Sequence, residues 1–243
     1  MTIEFRHPRT EDENSLRELF TEAFEDAAFT DLFFKLGFSP DRCLAVFEGS
    51  LLAALHWFDC RLDGKKAAYI YGIATTRAHR GLGIGSKLIR AALEELNATG
   101  YEAILLVPAE ASLFGYYERF GFRRVSTIRE MQLPAGTPLP IRRLTLEEYA
   151  EARRPLLPEH SLVQEGASLA LFSSYADFYA TDRALAAVSG DMVWELLGDD
   201  SDAPGLIAAL GLASAAVRTP GPGRPFAMVI GVAGPIYLGL ALD

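Results

Sequence analysis

The chain has 243 residues, of which 50% are hydrophobic and 23% charged, enough to fill one large domain or two modest ones and too apolar for a disordered or fibrous chain. Lys and Arg number 23 against 32 Asp and Glu, a formal charge of −9, which argues against nucleic acid as a partner because phosphate-backbone binding runs on clustered cations. Only Cys43 and Cys60 are present, in strand-like segments, so reduced core thiols are expected and a disulfide framework is not; no metal site is expected.

The amino-terminal segment MTIEFRHPRTEDE is charged and lacks an apolar stretch, so no secretory signal and a cytoplasmic location are expected. Thr10 to Glu13 reads as a capping box, and Leu16, Leu19, Phe20, Ala23 and Phe24 behind it recur with helical spacing. Three strands follow, at Arg42–Phe47, Leu51–Arg61 and Ala67–Thr75, with turns at Glu48-Gly49-Ser50 and Asp63-Gly64, which gives an antiparallel meander.

From Ile84 to Asn97 the apolar positions Ile84, Leu88, Ala91, Ala92 and Leu96 return to a helical period, and Gly100 is placed to stop that helix. The continuous apolar run Ala103–Val107, closed by Pro108, reads as a strand buried on both faces. Strand, helix and strand here make one crossover unit. A short helix near Ala111–Arg119 and a strand at Phe122–Met131 complete this part.

Leu133–Pro140 holds three prolines and a glycine, a linker or edge composition, and sets the expected boundary between domains 1–140 and 141–243. The second part contains no lysine. It reads as helices near Thr145–Leu156 and Pro204–Leu210 and strands near Ala184–Leu197, Phe226–Gly231 and Ile236–Leu242. Gly221-Pro222-Gly223-Arg224 reads as a hairpin turn. The 17 uncharged positions Phe226–Leu242 reach the lower edge of a membrane span, but Gly231, Gly234 and Pro235 break them as a turn between buried strands would, so no membrane partner is expected.

The segment TTRAHRGLGIGS, Thr75–Ser86, joins a strand end to a helix start. Gly81, Gly83 and Gly85 remove side chains where backbone must approach a ligand, and a helix start offers unpaired N–H groups and a positive dipole end. Arg77, His79, Arg80, Lys87 and Arg90 lie there with no acidic residue between them. A diphosphate fits that cradle. The P-loop signature GxxxxGK is absent, and the dinucleotide fingerprint GxGxxG fails because position 86 is Ser and five residues separate the strand end from Gly81.

Arg80-Gly81-Leu82-Gly83-Ile84-Gly85 is similar to the R/Q-x-x-G-x-G/A signature of the GNAT acetyltransferases, and Tyr117-Glu118-Arg119-Phe120-Gly121-Phe122 resembles the family's Y-x-x-x-G-F ending. The resemblance covers Ile3–Met131. It implies an α/β (α+β) fold with a mixed, mostly antiparallel sheet flanked by helices, followed here by a smaller α+β part that is a candidate reduced second copy. It also implies acetyl-CoA as cosubstrate, with Arg80, Gly81, Leu82, Gly83, Ile84, Gly85 and Ser86 holding its diphosphate. The backbone of Ile73, Ala74 and Thr75 would meet the pantetheine arm, and Tyr117 would be the general acid. Where many members carry a cofactor-contacting Asn this chain has Glu110, which cannot donate when ionised; Ser112 is the candidate substitute.

The implied reaction is direct attack by a primary amine, on a small molecule or a peptide, upon the thioester. His56, Glu22, Glu25 and the carboxy-terminal Asp243 are the candidate bases, and Phe24, Phe29, Phe33 and Phe34 are candidates to line the acceptor site or to form core. The second part is expected to wall that site or to support a homodimer. The competing reading is a GNAT-fold sensor that binds acetyl-CoA without turnover.

Overall fold

The computed structural model describes residues 3–241. Contacts divide the chain into two units: the first runs to Arg123 and includes Val229–Val232, and the second comprises Arg124–Met228 and the segment from Ala233 onward. Leu133–Pro140 therefore lies inside the second unit, and the division falls instead where the backbone leaves Gly121-Phe122.

In the first unit the elements are β1 (Glu4–Arg6), α1 (Glu13–Phe24), α2 (Ala27–Leu36), β2 (Cys43–Glu48), β3 (Ser50–Leu62), β4 (Lys65–Thr75), α3 (Ile84–Ala98), β5 (Ala103–Leu106) and α4 (Phe114–Glu118). The sheet runs in the order β1-β2-β3-β4-β5, with the late strand Met228–Ile230 beside β5. β1 with β2, β2 with β3 and β3 with β4 pair antiparallel, whereas β4 and β5 are parallel. The β3–β4 hairpin turns on Asp63 and Gly64, both with positive φ, 52° and 76°, the pair of left-handed residues that a two-residue hairpin favours. Cover on both faces follows from β3, which is buried from Leu51 through Phe58. On α3 the buried residues Ile84, Leu88, Ile89, Ala92 and Leu96 form one stripe, and each such side chain contributes about 1.5–3 kcal/mol on leaving water.

Two features shape the end of β4. Its pairing with β5 stops at Ile70 against Leu106, so residues 71–75 continue past the parallel partner and the two strands part. Against β3, the register passes from His56↔Tyr71 to Ala54↔Ala74, leaving Gly72 and Ile73 both opposite Leu55 as a β-bulge. Gly72 has φ 68°, and a Cβ there would lie 2.7 Å from Phe20 Cε1, so both backbone and space call for glycine.

Three expectations are corrected in this unit. Thr10–Glu13 is not a capping box: residues Thr10–Asp12 form a 3₁₀ turn, and the Asp12 carboxylate accepts from the Arg9 N–H at 2.7 Å and from Arg6 at 2.6 Å. The helix expected over Ala111–Arg119 is a 3₁₀ turn, Ala111–Leu113, followed by the five residues of α4. The strand expected at Phe122–Met131 begins only at Thr127, and its partner lies in the second unit.

The second unit contains β6 (Thr127–Pro134), β7 (Arg142–Leu144), α5 (Leu146–Arg153), the two-residue β8 (Leu162–Val163), α6 (Ala167–Phe172), β9 (Asp177–Ala180), β10 (Ala184–Ser189), β11 (Met192–Gly198), α7 (Ala203–Ala209) and β12 (Ser214–Pro225). β13, Met228–Ile230, is the late strand already described. Here the sheet order is β6-β12-β11-β10-β9-β7, with β11 and β12 parallel and the other pairs antiparallel. The two-residue β8 aside, the succession from β7 onward (strand, two helices, three strands, helix, strand) matches β1 through β5, and the sheet orders agree neighbour for neighbour. The second unit thus repeats the topology of the first.

Gly221-Pro222-Gly223-Arg224 is not a hairpin turn. The β12–β6 register jumps from Thr219↔Arg129 to Arg224↔Ile128, so the four residues between are looped out within one strand. Nor is Ile236–Leu242 a strand: Ile236 and Tyr237 make only isolated bridges, to Ser126 and Ser161, and Leu242 lies outside the described residues. What fixes that segment is a buried ion pair. Arg153 binds Glu195 at 2.6 and 2.9 Å, and the Tyr149 and Tyr237 hydroxyls donate to the same carboxylate at 2.7 and 3.0 Å. All four lie in the interior, and the full set of donors offsets the cost of burying the charge.

Candidate active site

Thr75 ends β4 and Ile84 begins α3, and the loop between them turns through Gly81 and Gly83, with φ 79° and 76°. Gly83 is the N-cap of α3 and offers no side-chain oxygen; no carboxylate stands in the first turn. The first-turn N–H groups are therefore uncapped and the dipole end is positive, the arrangement that receives an anion. Gly81, Leu82 and Gly83 are exposed, whereas the Ile84 side chain turns into the core, so Ile84 can offer only its backbone. Gly85 lies close to its neighbours: a Cβ there would sit 3.3 Å from Thr75 Oγ1 and 3.9 Å from the Tyr116 hydroxyl.

Ser86 and Tyr116 share a hydrogen bond of 3.1 Å between their hydroxyls, which brings α4 to the start of α3. Sequence reasoning singled out Tyr117 and missed Tyr116, whose approach to a residue thirty positions earlier leaves no local signal. Tyr117 packs edge to face on Tyr116 and on Phe122, with centroid separations of 5.2 and 6.1 Å. Burial, with Tyr116 beside it, pushes the Tyr117 phenol up to about 12, so it holds its proton throughout the physiological range.

Arg80 is exposed and half occupied. Its Nε donates to the Thr75 carbonyl at 3.0 Å and its Nη2 to Glu22 at 3.2 Å, while the Arg77 N–H donates to the same Glu22 oxygen at 2.8 Å. Glu22, on α1, thus clasps the loop. Ile73 stands in the bulge and Ala74 follows it, in the part of β4 that runs beyond its pairing with β5. The Ser112 hydroxyl donates to Glu110 at 3.0 Å.

Beside the bulge is an aromatic cluster. Phe24 stacks on Tyr71 at 5.9 Å, Phe29 meets the same ring edge-on at 6.3 Å, and Phe33 lies 5.6 Å from it. Phe33 is fully buried, whereas Phe24, Phe29 and Phe34 are only partly covered. His56 is interior, between Phe33 and Phe58 at 5.1 and 4.9 Å, and its Nε2 accepts from the Ser39 N–H at 3.4 Å while Nδ1 has no partner. Burial, aided by Arg42, lowers His56 to about 3. Glu25 caps the end of α1 in the left-handed region, φ 55°, and is exposed; Asp243 lies outside the described residues.

Comparison with known proteins agrees with this geometry. A family description, the GNAT acetyltransferase domain, matches residues 4–125. Among solved structures, a GCN5-related N-acetyltransferase from Kribbella flavida is 18% identical with a TM-score of 0.68, covering 94% of this chain and 70% of that one. A second, from Anabaena variabilis, is 12% identical with a TM-score of 0.69, covering 94% and 72%. Eis1 from Mycobacterium abscessus is 16% identical with a TM-score of 0.62, covering 89% and 65%. At such identities the likeness is one of fold, and it extends over both units. Curated proteins give no match. No helix among the described residues is long and apolar enough to cross a membrane. Since the matched region makes up half of its length, the chain belongs to the GNAT acetyltransferase family.

Proposed function

We propose that the chain is an N-acetyltransferase that moves the acetyl group of acetyl-CoA to a primary amine, on a small molecule or a peptide, by direct attack. The observation that carries this reading is the uncapped, glycine-lined start of α3 beside the gap between β4 and β5. The cradle fits a diphosphate: its donors are backbone N–H groups, Gly81, Gly83 and Gly85 keep the backbone open there, and the nearby Glu22 carboxylate is already held by Arg80 and the Arg77 amide.

Acetyl-CoA brings an activated acyl group and a thiol leaving group of pKa about 8.5. The residues of this chain then position and protonate. N–H groups of Gly81–Ser86 hold the diphosphate, with Arg80 supplying charge. Backbone groups of Ile73, Ala74 and Thr75 align the pantetheine arm and polarise the carbonyl as charge develops. Tyr117, protonated up to about pH 12, donates to the departing sulfur. No enzyme thiol takes part: Cys43 and Cys60 are buried in strands, and burial raises the Cys43 thiol far above its ordinary range. Holding amine and thioester together accounts for much of the rate. His56, buried and lowered to about 3, is too weak a base to serve, so the amine proton leaves through water. The partly covered Phe24 and Phe29 beside Tyr71 wall the acceptor.

CoA release with acetyl-CoA and a panel of polyamines, aminoglycosides, amino acids and peptides tests the proposal. Tyr117→Phe should lower kcat by about 100-fold with little change in acetyl-CoA affinity; turnover that survives this change removes Tyr117 from the mechanism. Tight acetyl-CoA binding without turnover on any acceptor would establish the sensor instead.

A further inference from the structure

In the first unit Arg6, Arg17, Arg42 and Arg80 each bind a carboxylate. Arg90 and Arg119 form no ion pair among the described residues and rest on aromatic rings instead. The guanidinium of Arg90, one turn after Ser86 on α3, lies over the Phe120 ring at 5.1 Å, and that of Arg119 lies over the Tyr116 ring at 4.7 Å. The two rings are themselves in edge contact at 5.2 Å. Arg90 has a carboxylate within one helical turn, Glu94, yet no ion pair joins them among the described residues. Arg119 gives one N–H to the Tyr116 carbonyl at 3.4 Å, and the rest of both guanidinium edges face outward.

A guanidinium lying flat on a ring keeps its in-plane N–H donors available and loses little freedom when an anion arrives. Arg90 stands one helical turn, roughly 5.4 Å, beyond Ser86 on α3, and the Ser86–Tyr116 bond joins that turn to α4, whose C-cap is Arg119. CoA carries, besides its diphosphate, one further phosphate monoester, on the ribose, with a charge near −2 at neutral pH.

On the reading that the loop holds the CoA diphosphate, we propose that Arg90 and Arg119, set on Phe120 and Tyr116, form the site for the ribose 3′-phosphate and make the protein select CoA over its dephosphorylated form. The pair takes a phosphate monoester bidentately from its donor edges. Tyr116 has two tasks, supporting Arg119 through its ring and meeting Ser86 through its hydroxyl.

Calorimetric titration of the full chain with CoA and with dephospho-CoA at low salt tests the assignment. Wild-type protein should bind CoA at least about tenfold more tightly, a charge-assisted contact being worth that factor. Arg90→Gln with Arg119→Gln should erase the difference by weakening CoA alone, with the melting temperature unchanged because both side chains are exposed. Equal wild-type affinities, or a double variant that weakens both ligands alike, would overturn the assignment and leave the diphosphate reading standing. A wild-type protein that binds neither ligand would overturn both.

Discussion

Between β4 and α3 the first unit carries Arg77, His79 and Arg80 with an open glycine loop; between β11 and α7, the corresponding place of the same topology, the second unit carries Asp199, Asp200 and Asp202. In the second unit that turn closes on itself. Asp199 accepts from the Ser201 N–H at 3.0 Å, and Arg183 binds both Asp199 and Asp202. Its carboxylates would repel a phosphate, and the N–H groups of Asp199, Ser201 and Asp202 are already bonded. A strand-to-helix crossover supplies a positive helix end in both units, but the loop residues decide whether that end becomes an anion site. The buried polar groups divide in a related way. Glu195 in the second unit receives four hydrogen bonds in the interior and supports the fold, whereas Arg80 and Arg90 of the first unit are exposed.

That contrast can be broken experimentally, and the two tryptophans help, because Trp57 lies in the first unit and Trp194 in the second. Glu195→Ala, made with Trp57→Phe so that only Trp194 reports, should cost about 4 kcal/mol in denaturant unfolding, since it leaves Arg153 buried without its partner. A loss under about 1 kcal/mol would mean the carboxylate is not what holds the unit. Leu82→Asp with Ser86→Asp places carboxylates in the first loop, as the second loop has. Two carboxylates beside the diphosphate should weaken acetyl-CoA binding by at least about 100-fold, measured by titration, with the melting temperature nearly unchanged.

Acid should separate the units more gently. His56 is lowered in the folded chain from 6.5 to about 3, so its neutral form is the folded one. The stability this contributes is fully present above pH 6.5 and declines as pH falls toward 3, by about 1.4 kcal/mol per unit, or about 2 kcal/mol by pH 5. Followed through Trp57 in a Trp194→Phe chain, that decline should flatten in His56→Leu. An unchanged slope would show that other groups set the acid response.

The glycine loop, the meander and the crossover were legible in the sequence because each rests on local chemistry: positive φ at Gly81 and Gly83, a turn at Asp63-Gly64, a helical period from Ile84. What escaped depends on distant partners. Thr127–Pro134 is a strand because β12 pairs with it, and Phe122 gives no hint that it is not. The bulge at Gly72 appears only when Leu55 is set opposite it. Tyr116 meets Ser86 across the fold and left no local signal, and Glu22, named as a candidate base, instead clasps the loop through Arg80 and the Arg77 amide. The repeated topology of the second unit was only faintly legible, since Asp199–Asp202 carries nothing of the signature that marks the first.

The strand beside β5 comes from residues 228–230, more than a hundred positions after the elements it joins. A ribosome adding about 5–20 residues per second would therefore leave the β5 edge waiting for roughly 5–20 seconds before its last neighbour emerges. An uncovered edge is a template for pairing with other chains. During synthesis the first unit waits on residues 228–230 to close its sheet, and a premature stop between Arg123 and Met228 would yield a polypeptide with every residue of the glycine loop and an open, adhesive flank.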